Sequence, residues 1–312
     1  MIATPVRSRR RPAPLGRVFL RTLLPFLGIV TALVVHYFPT GIDTLREDPE
    51  QDRRLIQSFY GSVYQGAEVN SSGEYVKMGR EQTELGLKRV FSGYVAKYGL
   101  ADKRVLEVGA GSGQLQDLVP DYTGLDLAPE AKRFFHKPFV AASATAMPFR
   151  DHQFEALWSV YTLEHIPHPE MALNEMRRVV QPGGILILAP AWNCSEFAGP
   201  GYRVRPFSDF DLAGKLTKIW AHIGSTLYVQ NLHRLPIRMI RDAQVKADAK
   251  PSRLRFRQLK ANFGTYWEPD TDAFVSVDVY EAYLWFTSRG DECLNCESLM
   301  TSSDQALIIR RK

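Results

Sequence analysis

The sequence predicts a doubly wound α/β fold on a mostly parallel sheet, and three observations predict it. Between residues 104 and 190, short apolar runs of strand length alternate with amphipathic runs of helix length. The first of those runs, "RVLEVG", ends among three glycines in five positions, Gly109, Gly111 and Gly113. Two more strand-like runs, "DECLNC" and "ALIIRRK", close the chain and bring the strands to seven.

The bulk numbers are compatible with that fold. The chain has 312 residues, 45% hydrophobic and 23% charged, enough for one large domain or two small ones. Three cysteines are too few for a disulfide scaffold, and the odd count fits a reducing compartment. The net charge of +5 is unevenly spread. Residues 1–42 carry six arginines and no acid, and residues 223–262 carry nine Lys/Arg against Asp242 and Asp248. The rest of the chain sums to −8, so the basic charge sits in two patches that point to an anionic partner.

Residues 1–14 are Arg- and Pro-rich and read as disordered. From Thr22 to Phe38, "TLLPFLGIVTALVVHYF" runs 17 residues without a charge, the lower limit for a membrane-spanning helix. Pro25 and Gly28 weaken a span without excluding it. A buried core helix is the plain alternative, but nothing amphipathic marks one. No small-x-small cleavage site follows the run. Residues 43–58 read as polar linker. "SFYGSVYQ" and "EQTELGLKRVFSGYVAKYGL" then read as helices, the second with Leu85, Val90, Tyr94 and Tyr98 on one side and Gly99 as its stop.

After strand one, Ser112–Val119 reads as the helix it feeds. "YTGLDL" is strand two, Pro129–Phe135 its helix, "PFVAAS" strand three and "FEALWSV" strand four. Pro169–Val180 is a helix with Ala172, Met176 and Val179 inward and its proline in the first turn, where no N–H is needed. "GILILAP" is strand five, apolar on both faces. Val277, Tyr280 and Leu284 mark a last helix that stops at Gly290. Residues 191–275 break the strand–helix beat and read as an insertion rich in aromatics (Trp192, Phe197, Tyr202, Phe207, Phe210, Trp220) before the basic stretch. The expected units are a basic, apolar segment (1–42), a linker and lid helix (43–80), an α/β core (81–190), an inserted cap (191–275) and a closing helix with two strands (276–312). Cys293-x-x-Cys296 invites a metal reading, but residues three apart on a strand face opposite ways and no second Cys/His pair stands at zinc spacing, so no metal is expected.

A strand, a glycine turn and a helix N-terminus make a site at the carboxyl edge of the sheet, where backbone N–H groups approach a ligand with no Cβ in the way. Asp126 ends strand two, where a carboxylate can accept both hydroxyls of a ribose. A dinucleotide and S-adenosylmethionine both remain compatible at this point. The spacing G-A-G-S-G departs from the dinucleotide fingerprint, and Glu107, two residues before the first glycine, would repel a pyrophosphate and favour a cationic ligand.

In order and spacing, "VLEVGAGSGQL", "GLDLAPE", "SATAMPF", "FEALWSVYTLEHI" and "EMRRVVQPGGILILAP" resemble the class I S-adenosylmethionine-dependent methyltransferases, and within them the small-molecule and quinone-type branch. The resemblance covers roughly residues 60–190 plus the final helix and strands. It implies the Rossmann-like methyltransferase fold, a seven-stranded sheet with an inserted cap and an N-terminal apolar segment. It also implies S-adenosylmethionine as cofactor. Glu107, Gly109, Gly111 and Gly113 then correspond to the motif that holds the methionine end, Asp126 to the ribose acid and Leu127 to the residue against the adenine. Ser143 and Ala144 fall where the family has Asp-Ala at the adenine amino group, so a charge-assisted acceptor is missing. Tyr161 falls where the family lines the reaction chamber.

Methyl transfer from a sulfonium needs alignment, exclusion of water and, for a protic acceptor, a base. Tyr161, His165 and Glu164 are the candidates for that base. Tyr60 and Tyr64 are candidates for a lid or for packing on the sheet. The aromatic insertion suits a small, apolar or lipid-like acceptor better than a nucleic acid. The basic stretch, with Leu235, Ile237, Met239 and Ile240 among Arg234, Arg238 and Arg241, reads either as lipid-facing or as a solvated loop. Arginines before the apolar run and acids after it keep the N-terminus cytoplasmic. The expectation is a membrane-associated protein whose apolar segment lies in the membrane surface, with the catalytic domain facing the cytoplasm; organelle targeting is the alternative. Asn70 and Asn193 begin glycosylation sequons, and use of either would place the domain in a lumen. The competing functional class is a non-catalytic scaffold that keeps the fold and binds at a membrane.

Overall fold

Alternation along each strand dictates a sheet covered on both faces. In β1 (Val105–Val108), Val105 joins one apolar cluster with Phe91, Tyr122, Trp158 and Ile187, and Leu106 and Val108 join another with Leu157, Met176, Leu186 and Trp285. The computed structural model of the chain describes residues 15–45, 49–65, 86–248, 250–264, 266, 270–302 and 305–312, the side chains of 15–22 excepted. The later strands are β2 (Tyr122–Asp126), β3 (Phe139–Ala141), β4 (Phe154–Val160), β5 (Val180–Ala189), β6 (Arg257–Gln258), β7 (Val275–Ser276), β8 (Glu292–Cys293) and β9 (Leu307–Arg310). The main sheet has seven strands in the order β3-β2-β1-β4-β5-β9-β8. β1 to β5 pair in parallel and β9 and β8 antiparallel, while β6 and β7 form a separate two-stranded ribbon. The chain runs from β1 outward through β2 to β3, then returns to β4 on the other side of β1. That reversal opens the crevice in which such sheets bind ligands.

Helices α1 (Leu15–Tyr37), α2 (Glu50–Gln65) and α3 (Lys88–Tyr98) precede β1. α3 ends at Gly99, as its sequence predicts. α4 (Pro169–Val179) buries Ala172, Leu173, Met176 and Val179 along one stripe. α5 (Leu212–Gly224) and α6 (Leu227–Ala247) lie in the insertion, and α7 (Val279–Thr287) is capped by Asp278, which accepts the Tyr280 N–H.

Several local expectations are corrected. Turns replace the helix expected over Ser112–Val119. The Gln116 side-chain amide donates to the carbonyls of Gly113 and Phe134, occupying an acceptor that the helix ladder would need. Gly111 and Gly113 stand at φ +50° and +68°, outside helical space. Pro129–Phe134 is a 3-10 helix one residue shorter than expected. The stretch read as linker up to residue 58 is helical from Glu50, because Ile56, Tyr60, Val63 and Tyr64 give α2 one buried face. β8 ends at Cys293 and the chain turns, so Cys296 does not lie on the strand; it pairs with Cys293 in a disulfide. The first five residues of the helix read over residues 81–100, and the sequon at Asn70, lie outside the described residues.

The basic stretch is not a solvated loop. Its first half is α6, and two of its arginines turn inward onto α7. Arg238 donates to Asp278 and to the carbonyls of Leu299, Met300 and Ser302, and Arg241 makes a bidentate pair with Glu281 at 2.6 and 3.0 Å. α1 docks on α6 where Tyr37 stacks on His233 with ring centres 4.1 Å apart. Among the described residues, no helix is long and apolar enough to cross a membrane.

Candidate active site

The glycine turn, Asp126, Ser143 and Tyr161 follow the carboxyl ends of β1, β2, β3 and β4, so the topology gathers residues far apart in sequence at one edge. Gly109 stands at φ +72°, and a Cβ there would lie 2.1 Å from the Thr162 hydroxyl oxygen. Gly111, at φ +50°, faces the Tyr64 hydroxyl of α2, which a Cβ would approach to 3.3 Å. The Asp126 carboxylate accepts the Gly111 N–H at 2.8 Å through one oxygen and the Ala128 N–H at 3.0 Å through the other. Burial raises its pKa and these bonds oppose the rise. Each oxygen keeps a lone pair for a further donor.

Glu107 lies within the sheet, not at the rim. Its carboxyl group accepts the Tyr122 hydroxyl, and burial pushes its pKa up to about 8 against the lowering effect of that bond. Leu127 is half-buried against the apolar cluster that α2 forms with Ala128 and Ala131. The Ser143 hydroxyl lies 2.7 Å from that of Thr145 and accepts the Thr145 N–H, while Ala144 packs on the core. Tyr161 is 47% exposed at φ +47°, a backbone region that costs a non-glycine residue of order 1–3 kcal/mol.

One turn further, Glu164 and His165 close the edge. Glu164 is 2% exposed; one carboxylate oxygen accepts the Ala191 N–H at 2.9 Å and the other has no hydrogen-bond partner among the described residues. His165 Nε2 lies 3.8 Å from Glu164, and its Nδ1 lies 3.6 Å from the Asp272 carboxylate. Burial lowers the His165 pKa, but the carboxylates of Asp272 and Glu164 prevail and hold it above the ordinary value. The Tyr60 hydroxyl donates to Asp272 at 2.8 Å, and its ring meets that of His165 edge-on at 6.0 Å. α2 therefore spans both halves: Tyr64 covers the glycine turn and Tyr60 braces the histidine. Sequence reasoning misses Asp270 and Asp272, whose only signal is two acids in an aromatic insertion.

Residues 106–188 match the family described as a methyltransferase domain. That stretch runs from β1 to β5, so the parallel half of the sheet is the part of the chain that is similar to methyltransferase domains. The demethylmenaquinone methyltransferase of Renibacterium salmoninarum is 36% identical over 110 residues, 32% of this chain and 44% of that protein. A probable phthiotriol/phenolphthiotriol dimycocerosates methyltransferase of Mycobacterium ulcerans is 36% identical over 112 residues, 32% of this chain and 43% of that protein. The match thus spans less than half of either relative. Among solved structures, the SAM-bound amino pentose methyltransferase CalS10 of Micromonospora echinaspora is 21% identical, covers 38% of this chain and 56% of that one, and superposes with a TM-score of 0.32.

The donor set at this edge fits S-adenosylmethionine. Gly109 and Gly113 let Thr162 and Phe135 pack against the turn, and beside it Asp126 presents a carboxylate already oriented by two backbone bonds. Glu107 sets a test. The folded domain keeps its proton up to about pH 8, whereas an unfolded chain releases it near 4.5, so stability falls as pH rises between those values. Glu107→Gln removes that slope and, above pH 8, raises stability by on the order of 5 kcal/mol. Thermal unfolding on either side of this window checks it; equal pH slopes in the two proteins would refute it.

Proposed function

We propose that the chain is an S-adenosylmethionine-dependent methyltransferase acting on a small, apolar or lipid-like acceptor at a membrane surface. The observation that carries the reading is the Asp126 carboxylate fixed against the glycine turn, with a carboxylate-flanked histidine braced by the same helix that covers the turn. When bound, S-adenosylmethionine supplies an electrophilic methyl group on a sulfonium. Asp126 takes the ribose hydroxyls, Leu127, Ser143 and Ala144 border the adenine, and Gly109, Gly111 and Gly113 hold the methionine end, with Glu107 behind them in the sheet, bonded to Tyr122 instead of facing the ligand. His165 is the group placed to accept a proton from a hydroxyl or carbon acid. Glu164 and Asp272 are positioning residues that set its orientation and basicity. Tyr161 lines the mouth. The relatives named for quinone and lipid substrates support an acceptor of that chemistry. The membrane part of the reading rests on α1, whose apolar run lies in the membrane surface with the domain on the cytoplasmic side.

The test is transfer of a labelled methyl group to quinols, phenols and fractionated lipids. Product with one of these classes supports the proposal, and absence of S-adenosylmethionine binding by calorimetry at millimolar concentrations overturns it in favour of a scaffold. For a protic acceptor, His165 must be neutral to act, so kcat/KM falls on the acid side with a midpoint above 6.5. His165→Asn lowers the rate by about 10²–10⁴-fold and removes that limb. Glu164→Gln shifts the midpoint down, because one of the carboxylates that raise it is gone.

A further inference from the structure

Helix α5 is built inside out. An amphipathic helix of a water-soluble domain turns its apolar stripe toward the core. In α5 the stripe Leu212, Leu216, Ile219 and Ile223 faces outward, with Leu212 74% and Leu216 60% exposed. The inward face carries Gly214, Lys218, Ala221 and Gly224. Lys218 is held there because its ammonium donates to the carbonyls of Tyr202, Arg203 and Arg205 at 2.7–2.9 Å, so the orientation is fixed by three bonds to part-buried acceptors. The surface continues beyond α5. Leu227 and Tyr228 stand exposed at the start of α6, Leu235 and Met239 follow one turn apart, and on α1 Leu24, Phe26, Leu27 and Ile29 are exposed.

We propose that α1, α5 and α6 form one face that docks in the plane of an anionic lipid bilayer. This deepens the membrane part of the function proposed above and rests on it. A second copy of the chain is the competing occupant, and charge argues against it. Residues 212–241 hold five Lys/Arg and no acid, and α1 holds Arg17 and Arg21 and no acid. Lys218, Arg238 and Arg241 are buried, and Lys215 is exposed beside the stripe. The nearest acids are Asp211, exposed at the N-cap of α5, and Asp242, which binds Tyr280 and Lys246. With Lys215 exposed beside the stripe and Arg234 half-exposed on α6, a symmetric pairing would set these cations against each other, whereas anionic headgroups complement them. The same three helices border a polar cavity of about 330 Å³, lined by Tyr37 of α1, Gly224 of α5 and Arg234 of α6 together with Cys194, Arg257 and Asp270. The Cys194 thiol donates to the Ala191 carbonyl, and the Ala191 N–H donates to Glu164, so this lining adjoins the candidate site.

The test is co-sedimentation of the full chain with phosphatidylcholine vesicles, with and without phosphatidylglycerol, for the parent protein and for L212E/L216E/I219E. The parent binds the anionic vesicles and the triple variant binds them at least about tenfold more weakly, with unchanged S-adenosylmethionine affinity as the check on its fold. A parent protein that ignores both vesicle types, a variant that binds as the parent does, or a dimer in gel filtration that the variant dissociates would overturn the docking face. Failure of the parent to bind S-adenosylmethionine while still binding vesicles would strike the catalytic reading alone.

Discussion

Asp126→Ala abolishes S-adenosylmethionine binding and loosens the glycine turn. Two effects combine, and they separate by design. The carboxylate is the acceptor offered to a ribose, and charge-assisted bonds of that kind are worth about 1.5–3 kcal/mol each, so losing a pair weakens binding by at least about a hundredfold. The same carboxylate holds the Gly111 and Ala128 N–H groups at 2.8 and 3.0 Å, and alanine leaves both without their acceptor at a buried position, a cost of about 1–3 kcal/mol in stability. Asp126→Asn keeps the shape and one acceptor oxygen but turns an NH₂ toward a backbone donor. It therefore loses most of the ligand affinity with a smaller fall in melting temperature. Calorimetric titration and thermal unfolding of both variants read the two terms apart. Undiminished affinity in folded Asp126→Asn would place the ligand elsewhere.

The features legible in the sequence are those that depend on neighbours along the chain. Strands β1 to β5 follow from alternation and apolar runs, and the glycine turn with Asp126 follows from their ends, because strand, turn and register are local matters. The turns at 112–119 were not legible, since a single side-chain amide, that of Gln116, diverts the carbonyl a helix would have used. Nor was the second half of the site. Asp272 meets His165 across 107 residues of sequence, and nothing between them signals the approach. The fate of the basic stretch depended on which side of α6 met α7. Periodicity marks an apolar stripe on α5 as well, but only the three carbonyls that bind Lys218 decide that the stripe faces out. Asn193 shows the same limit in reverse: the sequon is legible, yet its side-chain nitrogen is buried and out of reach of glycosylation in the folded chain.

Arg241→Met should unfold the protein about ten degrees below the parent temperature. Arg241 and Glu281 are 5% and 4% exposed and bond through two parallel contacts, so α6 is fastened to α7 by a charge pair shielded from water. Removing one member of such a pair leaves the other charge buried and costs about 3–5 kcal/mol, roughly 2–4 °C per kcal/mol in a protein of this size. Burial already raises the Glu281 pKa against the lowering effect of Arg241, and loss of the arginine raises it further. The variant's deficit should therefore shrink in acid, where Glu281 takes up a proton, and grow as pH rises. Arg241→Met with Glu281→Leu removes both charges and should recover most of the loss, because the pair stabilises little relative to an apolar replacement of like volume. Thermal melts of the parent, the two single variants and the double variant complete the cycle. A double variant as unstable as Arg241→Met would show that the pair's hydrogen bonds, and not the stranded carboxylate, fasten the cap to the core.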